Sequence, residues 1–225
     1  IVVTKAEHHS VLLPFQELAL RTGATLKWFD LDEEGRVRSD TANEVITDRT
    51  KIVAVTHVGN TTGAITDIAP IIRRAHEMGA VFVLDACQSV PHLKVDFHAL
   101  DVDFAAWSAH KMYGPTGVGF LYGKREMLEA LPPANFGGSM VELAWMDQEA
   151  QYMEPPARFE AGTQPVAQVV AAGVAAEWLM NIGMENLEAP ERTITDELLK
   201  MGDIDGIRIP VSYTHLRAHE TLMNL

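Results

Sequence analysis

Cysteine is almost missing from this chain: Cys87 is the single one in 225 residues. One thiol excludes an intramolecular disulfide framework and a cysteine-rich zinc site. Positive charge is also scarce, with 18 Lys and Arg against 31 Asp and Glu and a net charge of −13. Sequence-independent nucleic-acid binding needs a basic face to neutralise phosphates, and an anionic membrane surface asks for the same, so neither partner is expected. No apolar run reaches the roughly 18 residues of a transmembrane helix. No charged-then-apolar leader is visible, and a reducing cytoplasm is the expected compartment. What the chain has in quantity is apolar side chain, 47% of it. That supplies a sizeable core, excludes wholesale disorder, and suits one large domain or two small ones.

The first residue is Ile, inside the β-like run Ile1-Val2-Val3-Thr4, which reads as a chain lacking its N-terminal part. Residues 211–225 show neither strand alternation nor a finished helical face and read as a non-native tail. His215 and His219 there stand at metal-ligand spacing, but without an acidic partner in a coherent element they read as coincidence. Between the ends, strand and helix patterns alternate. Helices are predicted over 10–22, over 39–47 with Ser39 or Asp40 as N-cap, and over 67–78 with Asp67 as cap and Gly79 as stop. Further helices are predicted over 124–131, 164–181 and 184–201. Strands are predicted over 25–29, 51–56, 80–84, 103–107 and 117–122, with one long Pro/Gly-rich loop over 132–162. This alternation predicts an α/β fold with a mostly parallel central sheet, covered by helices in three layers.

In such sheets ligands sit at the carboxyl ends of strands. That rule singles out His8 and His9, Asn60, Asp85 to Gln88, and Ser108 to Lys111. Lys111 follows a short strand and precedes the turn Gly114-Pro115-Thr116-Gly117, where a partly desolvated amine becomes nucleophilic. Taken alone, it reads more simply as a surface lysine. Asp85 ends an apolar strand, where an acid is costly unless its charge is used. One use is to pair with a pyridinium nitrogen, and an Asp partner with a Schiff-base Lys is the arrangement of pyridoxal 5'-phosphate (PLP) sites. The plainer reading is an Asp capping the next helix. The imidazoles of His8 and His9 offer a flat face and a proton near neutral pH, or a simple helix start at Ser10. Asn60 offers an amide donor, or a turn residue that tolerates left-handed geometry.

Together these segments resemble the PLP-dependent cysteine desulfurases, in particular the SufS-like group of the class-V aminotransferase superfamily, fold type I. The residues are Glu7-His8-His9-Ser10, Thr56-His57-Val58-Gly59-Asn60, Asp85-Ala86-Cys87-Gln88 and Ser108-Ala109-His110-Lys111-Met112-Tyr113-Gly114-Pro115-Thr116-Gly117. They continue with Gly137-Gly138-Ser139-Met140 and Arg158-Phe159-Glu160-Ala161-Gly162-Thr163, all in order. The resemblance implies that Lys111 holds PLP and moves protons, Asp85 binds the pyridine nitrogen, and His8 stacks on the ring. It implies Gln88 and Asn60 near the phenolic oxygen, and Ser108 and His110 on the phosphate. Thr163 would reach the cofactor of a partner subunit, hence a homodimer. The implied reaction converts L-cysteine to L-alanine, with sulfur passing through an enzyme persulfide to an acceptor protein of iron–sulfur cluster assembly.

The resemblance also implies a large PLP domain over 1–183 and the start of a small domain over 184–210. In the family a nucleophilic cysteine and a carboxylate-binding arginine come later still, so the chain alone is not expected to turn over. Cys87 matches a position of small residues and reads as a buried packing thiol. Other readings keep the fold and change the reaction: a selenocysteine lyase, a kynureninase-like hydrolase or an aminotransferase. A reading of another class is an inactive dimerisation or binding module. A metal hydrolase has no His/acid cluster of ligand spacing to stand on.

Overall fold

The computed structural model describes residues 1–207 and 209, and of Glu188 only the backbone. The tail predicted over 211–225, with His215 and His219, lies outside the described residues.

Apolar β-branched runs form the sheet. Strands β1 (Val2–Thr4), β2 (Lys27–Phe29), β3 (Ile52–Thr56), β4 (Val81–Asp85), β5 (Phe104–Ser108) and β6 (Gly119–Gly123) lie side by side in the order β2-β1-β3-β4-β5-β6. The first five are parallel, and β6 runs antiparallel to β5. Register sets Val53 beside Phe82, Thr56 beside Asp85, and Asp85 beside Ala106, so β3, β4 and β5 end together at one edge.

The helices are α1 (His9–Thr22), α2 (Ala42–Val45), α3 (Ala69–Glu77), α4 (Arg125–Ala130), α5 (Val166–Ile182) and α6 (Met184–Leu199). The chain leaves β1 for β2 on one side and returns to β3 on the other. Right-handed crossovers then put α1 on the face opposite α2 and α3, which makes the expected layered α/β arrangement. Ile46, Ile71, Ile72 and Ala75 from the α2–α3 side bury against Val53, Val55, Phe82 and Leu84 of the sheet. On the second face Val3 and Ala54 are buried as well, so the central strands read as continuous apolar runs. α5 and α6 are separated by Gly183 alone. No single helix among the described residues is long and apolar enough to cross a membrane; α5 and α6 pass only as a pair bent by 79°.

Three local expectations are corrected. Ser39 does not cap a helix: it is buried in a 3-10 turn (Ser39–Thr41) that runs into α2. Asp67 does not cap α3, whose N-cap is Ile68 with no side-chain cap bond. The cause lies just upstream, where Thr66 N–H donates to the His57 carbonyl at 2.8 Å and holds the segment extended. The long loop carries a two-stranded antiparallel ribbon, β7 (Val141–Leu143) with β8 (Gln151–Tyr152), and a 3-10 turn, Ala157–Phe159. Strands of two and three residues leave no periodicity to read.

The amino edge of the sheet is clasped by charge. Buried Asp103 accepts from Phe82 N–H at 2.7 Å, approaches His76 Nε2 at 3.0 Å, and accepts from Lys124 Nζ at 2.8 Å. Lys124 also reaches Asp101 at 2.6 Å. One carboxylate thus joins α3, β4 and the β6–α4 junction. Removing it leaves a buried N–H unpaired and breaks a largely buried ion pair. Asp103→Ala is therefore expected to cost about 3 kcal/mol of stability by urea denaturation, with Asp103→Asn costing less.

Candidate active site

The residues that carry polar chemistry collect at the opposite, carboxyl edge. Asp85 closes β4, and its Oδ1 accepts from Cys87 N–H at 2.9 Å. The plainer reading of Asp85 as a helix cap is not met: after this turn the next element among the described residues is β5, with no helix between. Gln88 is buried, with an Nε2 that meets no acceptor. The neighbouring strand β5 ends at Ser108, which opens the 3-10 turn Ala109–Met112 that carries His110 and Lys111. Tyr113 then takes a left-handed conformation (φ 61°), and Gly114 N–H returns to the Ala109 carbonyl at 2.9 Å. A Cβ at Gly114 would stand 2.8 Å from that carbonyl oxygen, so only glycine closes the turn that fixes Lys111. Lys111 is half-buried and His110 exposed.

Cys87 records how close these groups come. Its Sγ lies 3.9 Å from Ser108 Oγ and 4.0 Å from the Ala106 carbonyl oxygen. Burial pushes its thiol up to about 11; the Asp85 carboxylate pushes the same way and the Lys111 ammonium against it. The fields of Asp85 and Lys111 therefore meet on one sulfur atom. Cys87 is half-buried rather than buried, but it is not a thiolate near neutral pH.

Two further strand ends contribute. His8 is the N-cap of α1: its Nδ1 accepts from Ser10 N–H at 3.1 Å and lies 2.7 Å from Ser10 Oγ. The capping reading of His8 is thus realised, and the cap fixes the ring at the edge beside β1. Asn60 is half-buried in the turn that follows β3, where Gly63 N–H bonds the Gly59 carbonyl at 2.9 Å. Thr163 is exposed on the loop before α5, and no hydrogen bond or ion pair joins it to the Lys111 turn among the described residues. Asp85, Gln88, Ser108 and Lys111 follow or end the paired strands β4 and β5, His8 and Asn60 follow β1 and β3, and Thr163 is on the loop before α5.

Two buried titratable groups received no role from the sequence. His57, just after β3, is pushed by burial down to about 4 and is a neutral imidazole with an unpartnered Nδ1. Glu7, just after β1, has its carboxyl buried and raised to about 7, chiefly by burial. An acid or imidazole directly after an apolar strand is the signal that could have flagged both. Among the described residues no group of three or more His, Cys, Asp or Glu could hold a metal ion.

The aminotransferase class-V family model matches residues 1–224. The "Probable cysteine desulfurase 2" of Mycobacterium leprae (strain TN) is 48% identical over 210 residues, covering 93% of this chain and 50% of that protein. The crystal structure of the cysteine desulfurase CsdA from Escherichia coli superposes with a TM-score of 0.91 at 36% identity, covering 95% of this chain and 54% of that one. The apo cysteine desulfurase from Thermococcus onnurineus NA1 gives 0.85 at 35%, covering 90% and 50%. The chain spans about half the length of the curated relatives it matches.

The thiol chemistry is directly measurable. With its pKa near 11, Cys87 holds little thiolate at pH 8. Its alkylation by iodoacetamide is expected to run roughly 100-fold slower than that of an exposed cysteine, timed by mass spectrometry.

Proposed function

We propose a function from one premise, that the chain belongs to the aminotransferase class-V family: it forms the cofactor-binding part of a PLP-dependent cysteine desulfurase. Residues 1–183 are then part of the large PLP domain and 184–210 the start of the small one. The observation that carries the reading is that Asp85 ends β4 while Lys111 lies in the turn just after the end of the paired strand β5, with Cys87 Sγ 3.9 Å from Ser108 Oγ at the same sheet edge.

The residues present fit PLP. Gln88 Nε2 is a buried donor without an acceptor, an arrangement that costs free energy until an acceptor arrives. The phenolic oxygen of PLP is such an acceptor, and Asn60 stands at the next strand end. When bound, PLP supplies an aldehyde that condenses with an amine and a ring that withdraws electrons from the substrate's α-carbon.

Lys111 Nζ would hold the aldehyde, and its amine is the base that would take the substrate's α-proton. Asp85, oriented by Cys87 N–H, keeps a proton on the pyridine nitrogen. His8, fixed as the α1 cap, offers its ring face. Ser108 and His110 serve the phosphate, and Thr163 the phosphate of a second subunit's cofactor, which makes the enzyme a homodimer. The substrate is L-cysteine and the products are L-alanine and a persulfide on an enzyme thiol. That thiol is not Cys87, which burial keeps protonated. The sulfur passes on to an acceptor protein of iron–sulfur cluster assembly in the cytoplasm. The substrate class rests on the likeness to proteins named cysteine desulfurases at 36–48% identity.

The test is L-alanine release from L-cysteine by the full-length protein supplied with PLP, followed by chromatography. Wild type is expected to turn over and Asp85→Asn to lose about 100-fold, the scale set by removing a fixed charge from a developing one. Unchanged turnover in Asp85→Asn would remove the acid from its assigned place.

A further inference from the structure

Glu7 is absorbed by neither the fold nor the reaction. It lies where the strand order reverses, since β1 has β2 on one side and β3 on the other. A crevice opens at such a point beyond the carboxyl ends of the strands. The Glu7 side chain bridges the two strands there: Oε1 accepts from Thr56 N–H of β3 at 2.9 Å and from Thr4 Oγ1 of β1 at 2.7 Å. The register puts Thr56 directly beside Asp85, and the next N–H, that of His57, donates to the Asp85 carbonyl at 3.0 Å. The same carboxyl therefore ties down the strand end next to Asp85 and, through the chain, the His8 ring that follows it. Its second oxygen, Oε2, is buried with no partner.

We propose that Glu7 is a positioning residue of the Asp85 site, a latch whose carboxyl pins the ends of β1 and β3 together. The proposal rests on the PLP reading above for its effect on the cofactor, but not for its effect on the apoprotein. The titratable groups on the elements that meet there are His8 at the head of α1, His57 after β3 and Asp85 at the end of β4. His57 is neutral and brings no compensating charge. Burial and, to a lesser degree, the Asp85 carboxylate raise Glu7 from 4.5 to about 7, against the pull of its bonds from Thr4 and Thr56. Ionised Glu7 would place a second, unpaired negative charge beside Asp85, and water entering an opened crevice would relieve it.

The sign follows from the raised value. Below pH 4.5 the acid is protonated whether folded or not and costs nothing. Stability is lost as pH rises from there to about 7, and the whole loss remains above it. Glu7→Gln keeps an oxygen acceptor and cannot ionise.

The first arm of the test uses the apoprotein. The melting midpoint of Glu7→Gln minus that of wild type is expected to grow by several degrees between pH 5.5 and 8.5. A difference that stays flat overturns the latch whatever PLP does. The second arm titrates PLP at pH 6.5 and 8.5, read by quenching of tryptophan fluorescence. Wild type is expected to lose about 5-fold more affinity than Glu7→Gln across that range, and Glu7→Ala to bind about 10-fold more weakly than Glu7→Gln at pH 6.5. Matching pH profiles, or Glu7→Ala equal to Glu7→Gln, overturn the positioning role. If wild type binds no PLP at either pH, the reading of the site falls, and the melting arm decides the latch.

Discussion

Asp85 sits at the last position of a strand whose other four residues are Val81, Phe82, Val83 and Leu84. A carboxylate in that setting is tolerable only where it is held and answered. It is held by Cys87 N–H at 2.9 Å, and Lys111 lies in the turn just after the end of the neighbouring strand. The rest of the architecture serves this meeting. The parallel register of β3, β4 and β5 ends three strands together. The β5–β6 antiparallel pair and the glycine-closed turn fix the lysine, and the apolar layer below gives the sheet its rigidity. A loose sheet would let the acid and the amine drift apart by more than proton transfer tolerates.

The two edges of the sheet divide the polar work. At the amino edge Asp103, His76, Lys124 and Asp101 satisfy one another and clasp three elements. At the carboxyl edge polar atoms are left over instead: Gln88 Nε2, His57 Nδ1 and Glu7 Oε2 are buried without partners. Unsatisfied buried groups are costly. Ser39 Oγ and Glu191 Oε2 are likewise unpartnered elsewhere, but the three at the strand ends stand where α/β sheets bind ligands.

How much of this was legible depended on the range over which each cause acts. β4 was readable because four apolar residues followed by an acid need only local inspection. Asp85 was legible as a strand end and Lys111 as a residue just past one, since a parallel sheet puts strand ends together. The caps of α2 and α3 were misread because Ser39 and Asp67 have the right chemistry but the wrong surroundings. Neither helix start carries a side-chain cap bond. The β7–β8 ribbon is too short to leave a pattern. Glu7 was the hardest to see, because its environment is built by Thr56, 49 residues away.

The central claim is that the Lys111 amine and the Asp85 carboxylate flank a single pyridine ring. Its most direct measurement is reduction of the PLP-loaded protein with borohydride, then protease digestion and mass mapping of the lysine that carries the pyridoxyl group. The account predicts the label on Lys111, and weaker labelling of that same lysine in Asp85→Asn. A label on any other lysine, or labelling of Lys111 that is indifferent to Asp85, would contradict it.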